Sequence, residues 1–526
     1  MNEFELKFEI PAEHLPQILA AVHAKKAQLE ILQDCYFDTK DGALAKHGLV
    51  LRMRKKNGDW IQTAKSITND PLDRLEHNVK VSKLKPSLPK ILSPNTETPG
   101  MELESKMPVI DLSRHADEKI GQLIFNALNI KPDGLFPSLM PWYETDVQRL
   151  KFLVNHKGSS IEIALDQGMV VSSGRSTALC ELEIELIKGN PEHVVELART
   201  WCANHGLWLS TISKSMKGQR LHDQLVFPQL SHEAESFKHP KNGQQMVKAV
   251  FQSCLNQILP NASEIASGSQ NTDHVHQLRV GIRRLRTAIN ELNKLAEGID
   301  PAWEIPLMDA FRALGKHRDD DLLTRALQPQ LAVEGGPNIN TQRIGDDILD
   351  LKSIVQSPTF QDNLLCIIAY LHSSHLNGAD GQKEKFKPEN VEKILSKRFN
   401  QLHTKILKKG KKFHTLNETE QHSVRKLFKR LRYLAEFSTH IFSISASATK
   451  RLNNFIAHLK PVQDALGFYN DELMALKTYR KLAVKDKRAW FGAGWLSARR
   501  EANAKKSQQE IDTFIKKTNK NKWFWQ

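Results

Sequence analysis

Over the first ten positions, MNEFELKFEI, charge and grease alternate strictly, with Glu3, Glu5, Lys7 and Glu9 set against Phe4, Leu6, Phe8 and Ile10. Alternation with period two predicts a strand with two unlike faces. Similar segments recur at 33–39, 48–56, 59–67, 74–81, 146–154, 160–166, 169–174 and 178–187. Helical patterns interrupt them at about 12–29, 114–128 and 191–205. Strands joined by turns such as NGD at 57–59 predict an antiparallel sheet or barrel over residues 1–220. The stretch 83–113, with five prolines, reads as a surface excursion, and the polar stretch 221–243 as a linker. From about 244 the period becomes helical, broken at EGGPN (334–338) and NGADG (377–381), which predicts an all-α domain over 244–510 with a basic tail at 511–526.

The length of 526 residues requires more than one core. Charge separates the halves. Residues 1–220 hold 28 basic and 28 acidic side chains, so the rest hold 75 − 28 = 47 and 60 − 28 = 32, and the whole excess of +15 lies beyond residue 220. A basic half is expected to attract a polyanion. The five cysteines, at 35, 180, 202, 254 and 366, form no CxxC pair and no dense framework, which fits reduced thiols in a cytoplasmic protein. No segment approaches the roughly 18 apolar residues of a membrane span.

The charged strand faces are the first place to look for chemistry. Arg52 and Arg54 share a face in LVLRMRKK; Lys65 follows in QTAKS, Arg74 and Glu76 in DRLEHNV, Arg149 and Lys151 in QRLKFLV. CELEIELI mirrors the opening, with Glu181, Glu183 and Glu185 on one face, and Asp166 ends IEIALD. One such face is ordinarily a solvated surface. Repeated over six strands, with like charges at i and i+2, it requires an offset. A divalent cation offsets clustered carboxylates and a polyphosphate offsets clustered Arg and Lys. A barrel with its charges inward would hold both.

The ordered motifs EFELK (3–7), YFDT (36–39), LRMR (51–54), RLE (74–76), ALDQG (164–168), ELEIE (181–185) and SKSMKG (213–218) resemble the CYTH domains, or triphosphate tunnel metalloenzymes. The resemblance implies an eight-stranded antiparallel barrel forming a tunnel, with flanking helices. It implies that Glu3, Glu5, Asp166, Glu183 and Glu185 hold Mg²⁺ or Mn²⁺, assisted by Glu181 and Glu76. Lys7, Arg52, Arg54, Lys65, Arg74, Arg149, Lys151, Lys214 and Lys217 would bind the triphosphate. Glu3, Glu5, Lys7, Arg52, Arg54, Lys65, Arg74 and Glu76 would form the catalytic set. The family includes inorganic triphosphatases, thiamine triphosphatases and class IV adenylate cyclases. The two-domain architecture resembles the bacterial inorganic triphosphatases, which favours hydrolysis of tripolyphosphate to pyrophosphate and phosphate. A non-catalytic polyphosphate or nucleotide binder is the alternative from another class.

The basic half contains a duplication. HQLRVGIRRLR (276–286) aligns without gaps on HSVRKLFKRLR (422–432), and ALGKHRDD (313–320) answers ALGFYNDE (465–472). His276, Arg279, Arg283 and Arg286 recur at helical spacing, with Arg284 beside them, and the second copy offers His422, Arg425, Lys429, Arg430 and Arg432. Asp319 and Asp471 would orient these cations or cap helices. Residues 245–500 resemble the CHAD domain, made of two related helical bundles, which implies binding of inorganic polyphosphate by these paired His/Arg helices. Nucleic acid is disfavoured, because no aromatic stacking platform is interleaved with the basic residues. The tail FIKKTNKNKWFWQ is expected either to touch an anionic surface or to dock its aromatic residues on the domain.

Overall fold

The computed structural model describes residues 2–56, 58–66, 73–81, 107–131, 137–228, 240, 242–339, 349–373, 388–443, 445–519 and 523–525. Most of the expected excursion at 83–113, most of the linker, NGADG and the side chains of Glu3, Arg74 and Asp319 lie outside the described residues. The chain divides into two compact units, one of residues 1–230 with 364–369, the other of 231–363 with 370–526.

The first unit contains β1 (Asn2–Glu9), β2 (Gln28–Asp38), β3 (Leu49–Lys56), β4 (Asp59–Ser66), β5 (Asp73–Val81), β6 (Met140–His156), β7 (Ser159–Ser172), β8 (Arg175–Lys188) and β9 (Trp208–Leu209). They form one antiparallel sheet in the order β5-β4-β3-β2-β6-β7-β8-β1-β9. The first strand also pairs with β5, through Asn2↔Leu75, Glu3↔Arg74 and Phe4↔Asp73. The segments expected at 160–166 and 169–174 are one strand. Gly168 makes this possible, since a Cβ there would lie 2.0 Å from the carbonyl oxygen of Asp146 on β6. Glycine therefore permits the two backbones to approach, where the sequence pattern suggested a break.

Helices cover the apolar face. They are α1 (Leu15–Ala24), α2 (Ala43–Lys46), α3 (Lys119–Leu128) and α4 (Pro191–His205), whereas α5 (Lys214–Asp223) lies on the charged side, where Lys214 meets Asp166, Glu181 and Glu183. Leu6, Phe8, Ile163, Leu182 and Ile184 on the sheet are buried, as are Ile18 and Val22 of α1 and Val194, Val195 and Ala198 of α4. The alternation of EFELKFEI is thus resolved as apolar residues under helices and charged residues on the opposite face of the sheet. The helix expected over 12–29 is shorter, because β2 already begins at Gln28.

The second unit is helical throughout its described elements: α6 (Gly243–Ala266), α7 (Thr272–Leu292), α8 (Glu304–Asp321), a π-helical turn (Leu322–Leu327), α9 (Gln328–Val333), α10 (Leu351–Val355), α11 (Pro358–His372), α12 (Pro388–Gly410), α13 (Glu418–Phe437), α14 (Thr439–Phe442), α15 (Ala446–Lys485) and α16 (Ala489–Asn519). The duplicated basic segments fall on α7 and α13. Each helix starts at an Asn whose side chain accepts from a first-turn amide, Asn271 from Asp273 and Asn417 from Glu420, the second within a capping box. The C-terminal aromatics dock on the unit: Phe524 and Trp525 are buried, and the Trp525 indole N–H donates to Asn400 at 2.9 Å. Among the described residues, no helix is long and apolar enough to cross a membrane.

Candidate functional site

The strand register assembles the charged face. Arg149 of β6 stands opposite Asp166 of β7, which stands opposite Glu181 of β8. On β1, Lys7 faces Glu183 and Glu5 faces Glu185. Carboxylate oxygens of Asp166, Glu181 and Glu183 lie within 4.8 Å of one another, a separation that suits coordination of one cation. Two basic side chains hold them. Arg149 donates to both Asp166 oxygens, at 2.7 and 2.6 Å, and also to Glu183. The Lys214 ammonium, from the start of α5, sits 2.7 Å from Asp166, 2.5 Å from Glu181 and 2.6 Å from Glu183.

Lys7 and Lys217 flank this group. Lys217 pairs with Glu9 at 2.9 Å and lies 3.5 Å from Glu181 Oε2, while Lys7 Nζ lies 3.7 Å from the same oxygen. Among the described residues, neither Lys7 Nζ nor Glu181 Oε2 has a hydrogen-bond partner, although both are buried. Burial pushes the Lys7 amine down from its ordinary value, and Lys217 and Lys214 add to the push against the pull of Glu181 and Glu9. For Glu181 and Glu183 burial works upward as the largest single effect, but the cations together outweigh it, Lys214 first, then Lys7 at Glu181 and Arg149 at Glu183, and both carboxyls are held below the usual range.

A second cluster centres on β2 and β3. Asp34 accepts from Arg54 Nε and Nη2 at 2.6 and 2.7 Å and from Arg52 Nη1 at 3.3 Å. Burial alone would raise the Asp34 carboxyl; Arg54 and Arg52 hold it far below the usual range. Arg52 also lies 3.9 Å from Glu76, to which Lys65 is ion-paired across the β4–β5 register. Lys151 bonds Glu162 at 2.7 Å and lies 3.6 Å from Glu30. Lys214 also contributes, as the smallest of the causes, to the lowering of the Asp34 carboxyl.

The structure therefore brings Lys7, Arg52, Arg54, Lys65, Glu76, Arg149, Lys151, Lys214, Lys217, Asp166, Glu181 and Glu183 onto one charged face. Glu5 and Glu185 are half-buried beside each other across β1 and β8. Sequence reasoning missed Asp34, Glu30 and Glu162. Each carries the same signal as its neighbours, Asp34 sharing a strand face with Tyr36 in QDCYF and Glu162 with Asp166 in IEIALD. An isolated acid in a strand reads like any solvated side chain.

The basic helices divide by exposure. His276 and His422 are exposed, and Arg283, Arg286, Arg425, Lys429, Arg430 and Arg432 are half-exposed. Arg284 instead points into the core, donating to Gln257 at 2.9 Å and Ser253 at 3.1 Å. Arg279 is also buried, donating to the Phe311 carbonyl with its guanidinium 4.1 Å from that ring centre. Arg286 pairs with Glu304, Arg430 with buried Glu291 and Arg432 with Glu436. His422, Arg425, Asn470 and Lys477 line a pocket of about 300 Å³ with Tyr469 and Gln421.

Residues 1–218 match the CYTH domain and residues 249–480 the CHAD domain. An inorganic triphosphatase of Haemophilus influenzae is 25% identical over 227 residues, covering 42% of this chain and 55% of that protein. The chain thus spans about half the length of this curated relative. The crystal structure of a CHAD domain from the plant Ricinus communis covers 54% of this chain and 96% of its own, at 20% identity and a TM-score of 0.39. An adenylyl-cyclase-type protein from Hippeastrum, described as having a dominant triphosphatase activity, covers 43% of this chain and 98% of its own, at 17% identity and a TM-score of 0.29. The charged sheet and the duplicated basic helices thus belong to a chain that joins an N-terminal CYTH domain to a C-terminal CHAD domain.

Proposed function

We propose that the chain is a divalent-metal-dependent inorganic triphosphatase that cleaves tripolyphosphate to pyrophosphate and phosphate on the charged face of its sheet, while its helical unit binds inorganic polyphosphate. The family match and the triphosphatase relative support the reaction class. The observation that carries the reading is a carboxylate trio bonded to Arg149 on the same sheet face as Arg52, Arg54 and Lys65, acids for a metal and bases for an anion. The pairing of β1 with β5 supports a closed eight-stranded tunnel.

The trio fits Mg²⁺ or Mn²⁺, because all its donors are hard oxygens and one of them, Glu181 Oε2, has no hydrogen-bond partner among the described residues. When bound, the metal would polarise phosphoryl oxygens and lower the pKa of a coordinated water. The protein supplies the rest. Asp34 holds the Arg54 and Arg52 guanidiniums so that their remaining N–H groups meet phosphate oxygens without reorganisation. Lys65, oriented by Glu76, adds a further positive charge, and Lys7 Nζ, without a hydrogen-bond partner among the described residues, is available to the anion. Phosphoryl transfer asks mainly for such positioning and charge stabilisation. On the helical unit, His276, Arg283, His422, Arg425 and Lys429 are the proposed polyphosphate contacts.

The test is phosphate release by the full-length protein from tripolyphosphate, thiamine triphosphate, ATP and long-chain polyphosphate, with Mg²⁺, with Mn²⁺ and after chelation. Tripolyphosphate is expected to be the best substrate, and Glu181→Gln is expected to abolish turnover. Metal-independent release, or full activity in Glu181→Gln, would overturn the assignment. A preference for thiamine triphosphate or cyclisation of ATP would redirect it within the family.

A further inference from the structure

Lys214 does not stand where a phosphate ligand would stand. An ammonium has three donors. Lys214 donates to Glu181 and Glu183 at 2.5 and 2.6 Å and is ion-paired with Asp166 at 2.7 Å, so its ammonium is engaged by three carboxylates rather than held out toward a substrate oxygen. These are the same three residues whose oxygens converge closely enough to hold one cation. Lysine and metal compete for one place.

Charge accounting sharpens the competition. The ion pairs that radiate from the trio join four carboxylates, Asp166, Glu181, Glu183 and Glu9, to four cations, Lys214, Arg149, Lys7 and Lys217. These four carboxylates and four cations balance one another, with Glu5 and Glu185 beside them. Adding a divalent ion while Lys214 stays would bring like charges together in a buried site. Expelling Lys214 with nothing to receive it would leave a buried cation unpaired, an arrangement that proteins avoid. An incoming phosphate anion removes both difficulties. It brings negative charge, and its oxygens accept from the displaced ammonium. Lys214 and the Arg52 and Arg54 guanidiniums belong to the same charged side of the sheet, where such an anion would rest.

We propose that Lys214 is the built-in counter-cation of the Asp166/Glu181/Glu183 trio, and that a divalent cation replaces it only together with a phosphate anion that accepts its ammonium. The proposal rests on the metal-dependent reading above. Metal and anion thus bind with positive cooperativity, and the metal-free site is closed by its own lysine.

The anchoring of α5 decides how this exchange is seen. Gly218 of α5 lies flat against Tyr143, so closely that a Cβ would come within 2.0 Å of the ring. His222, near the end of α5, stacks on Trp142 with ring centres 4.2 Å apart and 11° between planes. Moving Lys214 off the carboxylates strains or shifts this seat, and Trp142 reports it.

The experiment uses the full-length protein and equilibrium dialysis of Mn²⁺ at fixed free-ion concentrations, with and without pyrophosphate. In the wild type, pyrophosphate is expected to tighten Mn²⁺ binding by about tenfold or more. Lys214→Met is expected to bind Mn²⁺ without any anion about tenfold more tightly than the wild type and to lose the pyrophosphate dependence. Lys214→Arg, which keeps the cation, should behave as the wild type, and far-UV circular dichroism establishes that each variant is folded. Trp142 fluorescence, isolated by difference against Trp142→Phe, should change with Mn²⁺ and pyrophosphate together and not with Mn²⁺ alone. Equal Mn²⁺ binding by wild type and Lys214→Met without anion would overturn the exchange and leave the triphosphatase reading standing. No Mn²⁺ binding by any of the proteins would remove the metal assignment itself, and the exchange with it.

Discussion

Replacing Asp34 by Asn is the most direct probe of how the anion-binding wall is built. The change keeps the shape of the side chain and removes its charge. Asp34 is buried and accepts three hydrogen bonds from two guanidiniums, two of them bidentate from Arg54. Removing one partner of a buried ion pair costs about 3–5 kcal/mol, because the remaining charges stay desolvated without compensation. Arg52 keeps a second carboxylate, Glu76, at 3.9 Å, which places the expected loss near the lower end, about 3 kcal/mol. The sign with pH follows from the depressed native pKa. The Asp34 contribution is complete at neutral pH, above the ordinary carboxylate value, and is lost only as pH falls below that value toward its lower native pKa. Urea unfolding at pH 7 and again near pH 3 measures it. The gap between wild type and variant should be large at pH 7 and smaller in acid. Arg54, no longer clamped, should also bind tripolyphosphate less well, raising KM. A stability loss under about 1 kcal/mol, of the size found for exposed pairs, together with an unchanged KM, would refute the claim that Asp34 organises the wall.

Two further predictions test the remaining features. In the helical unit, Arg284→Ala should lower stability by about 1–3 kcal/mol by leaving Gln257 and Ser253 without their buried partner, whereas Arg425→Ala should leave thermal stability nearly unchanged and weaken binding of long-chain polyphosphate. Differential scanning fluorimetry and a polyphosphate titration separate the two, and an Arg284→Ala protein of full stability would show the core assignment to be wrong. His115, fully buried on the covered side of β4 and in hydrogen-bond distance of His77 and Gln62, is pushed by burial, by His77 and by Arg114 down from 6.5 to about 4. Its unfolded form binds protons first, so stability should fall as pH drops from about 6.5 to about 4, by roughly 3 kcal/mol in all. Melting curves over that range should flatten in His115→Gln, and an unaltered pH dependence would count against it.

Much of this protein was legible in its sequence because period-two alternation is a local property. Eight of the strands, the helix at 191–205 and the placement of the duplicated basic segments on helices could be read from spacing alone. The motif order could be read too, since each charged residue of EFELK, LRMR and ELEIE keeps its side of its own strand. Where local pattern failed, a distant backbone or side chain decided. Gly168 reads as a break and is in fact the residue that lets β6 and β7 pair closely. Arg284 reads as one more cation in a basic helix, yet its position on α7 turns it toward Gln257 and Ser253 of α6.

The sequence by itself determined which residue types lie on which face of each element, because alternation and helical spacing depend only on backbone geometry. It also determined that the acids of β1, β7 and β8 and the bases of β3, β4 and β6 would need partners. Which partners they found was decided only in three dimensions. Asp34 meets Arg54 across β2 and β3, and Lys214, some 30 to 50 residues away along the chain, lands among Asp166, Glu181 and Glu183. Ion pairs of this kind depend on register and on where α5 docks, and a strand slipped by one residue would send every charge to the opposite face.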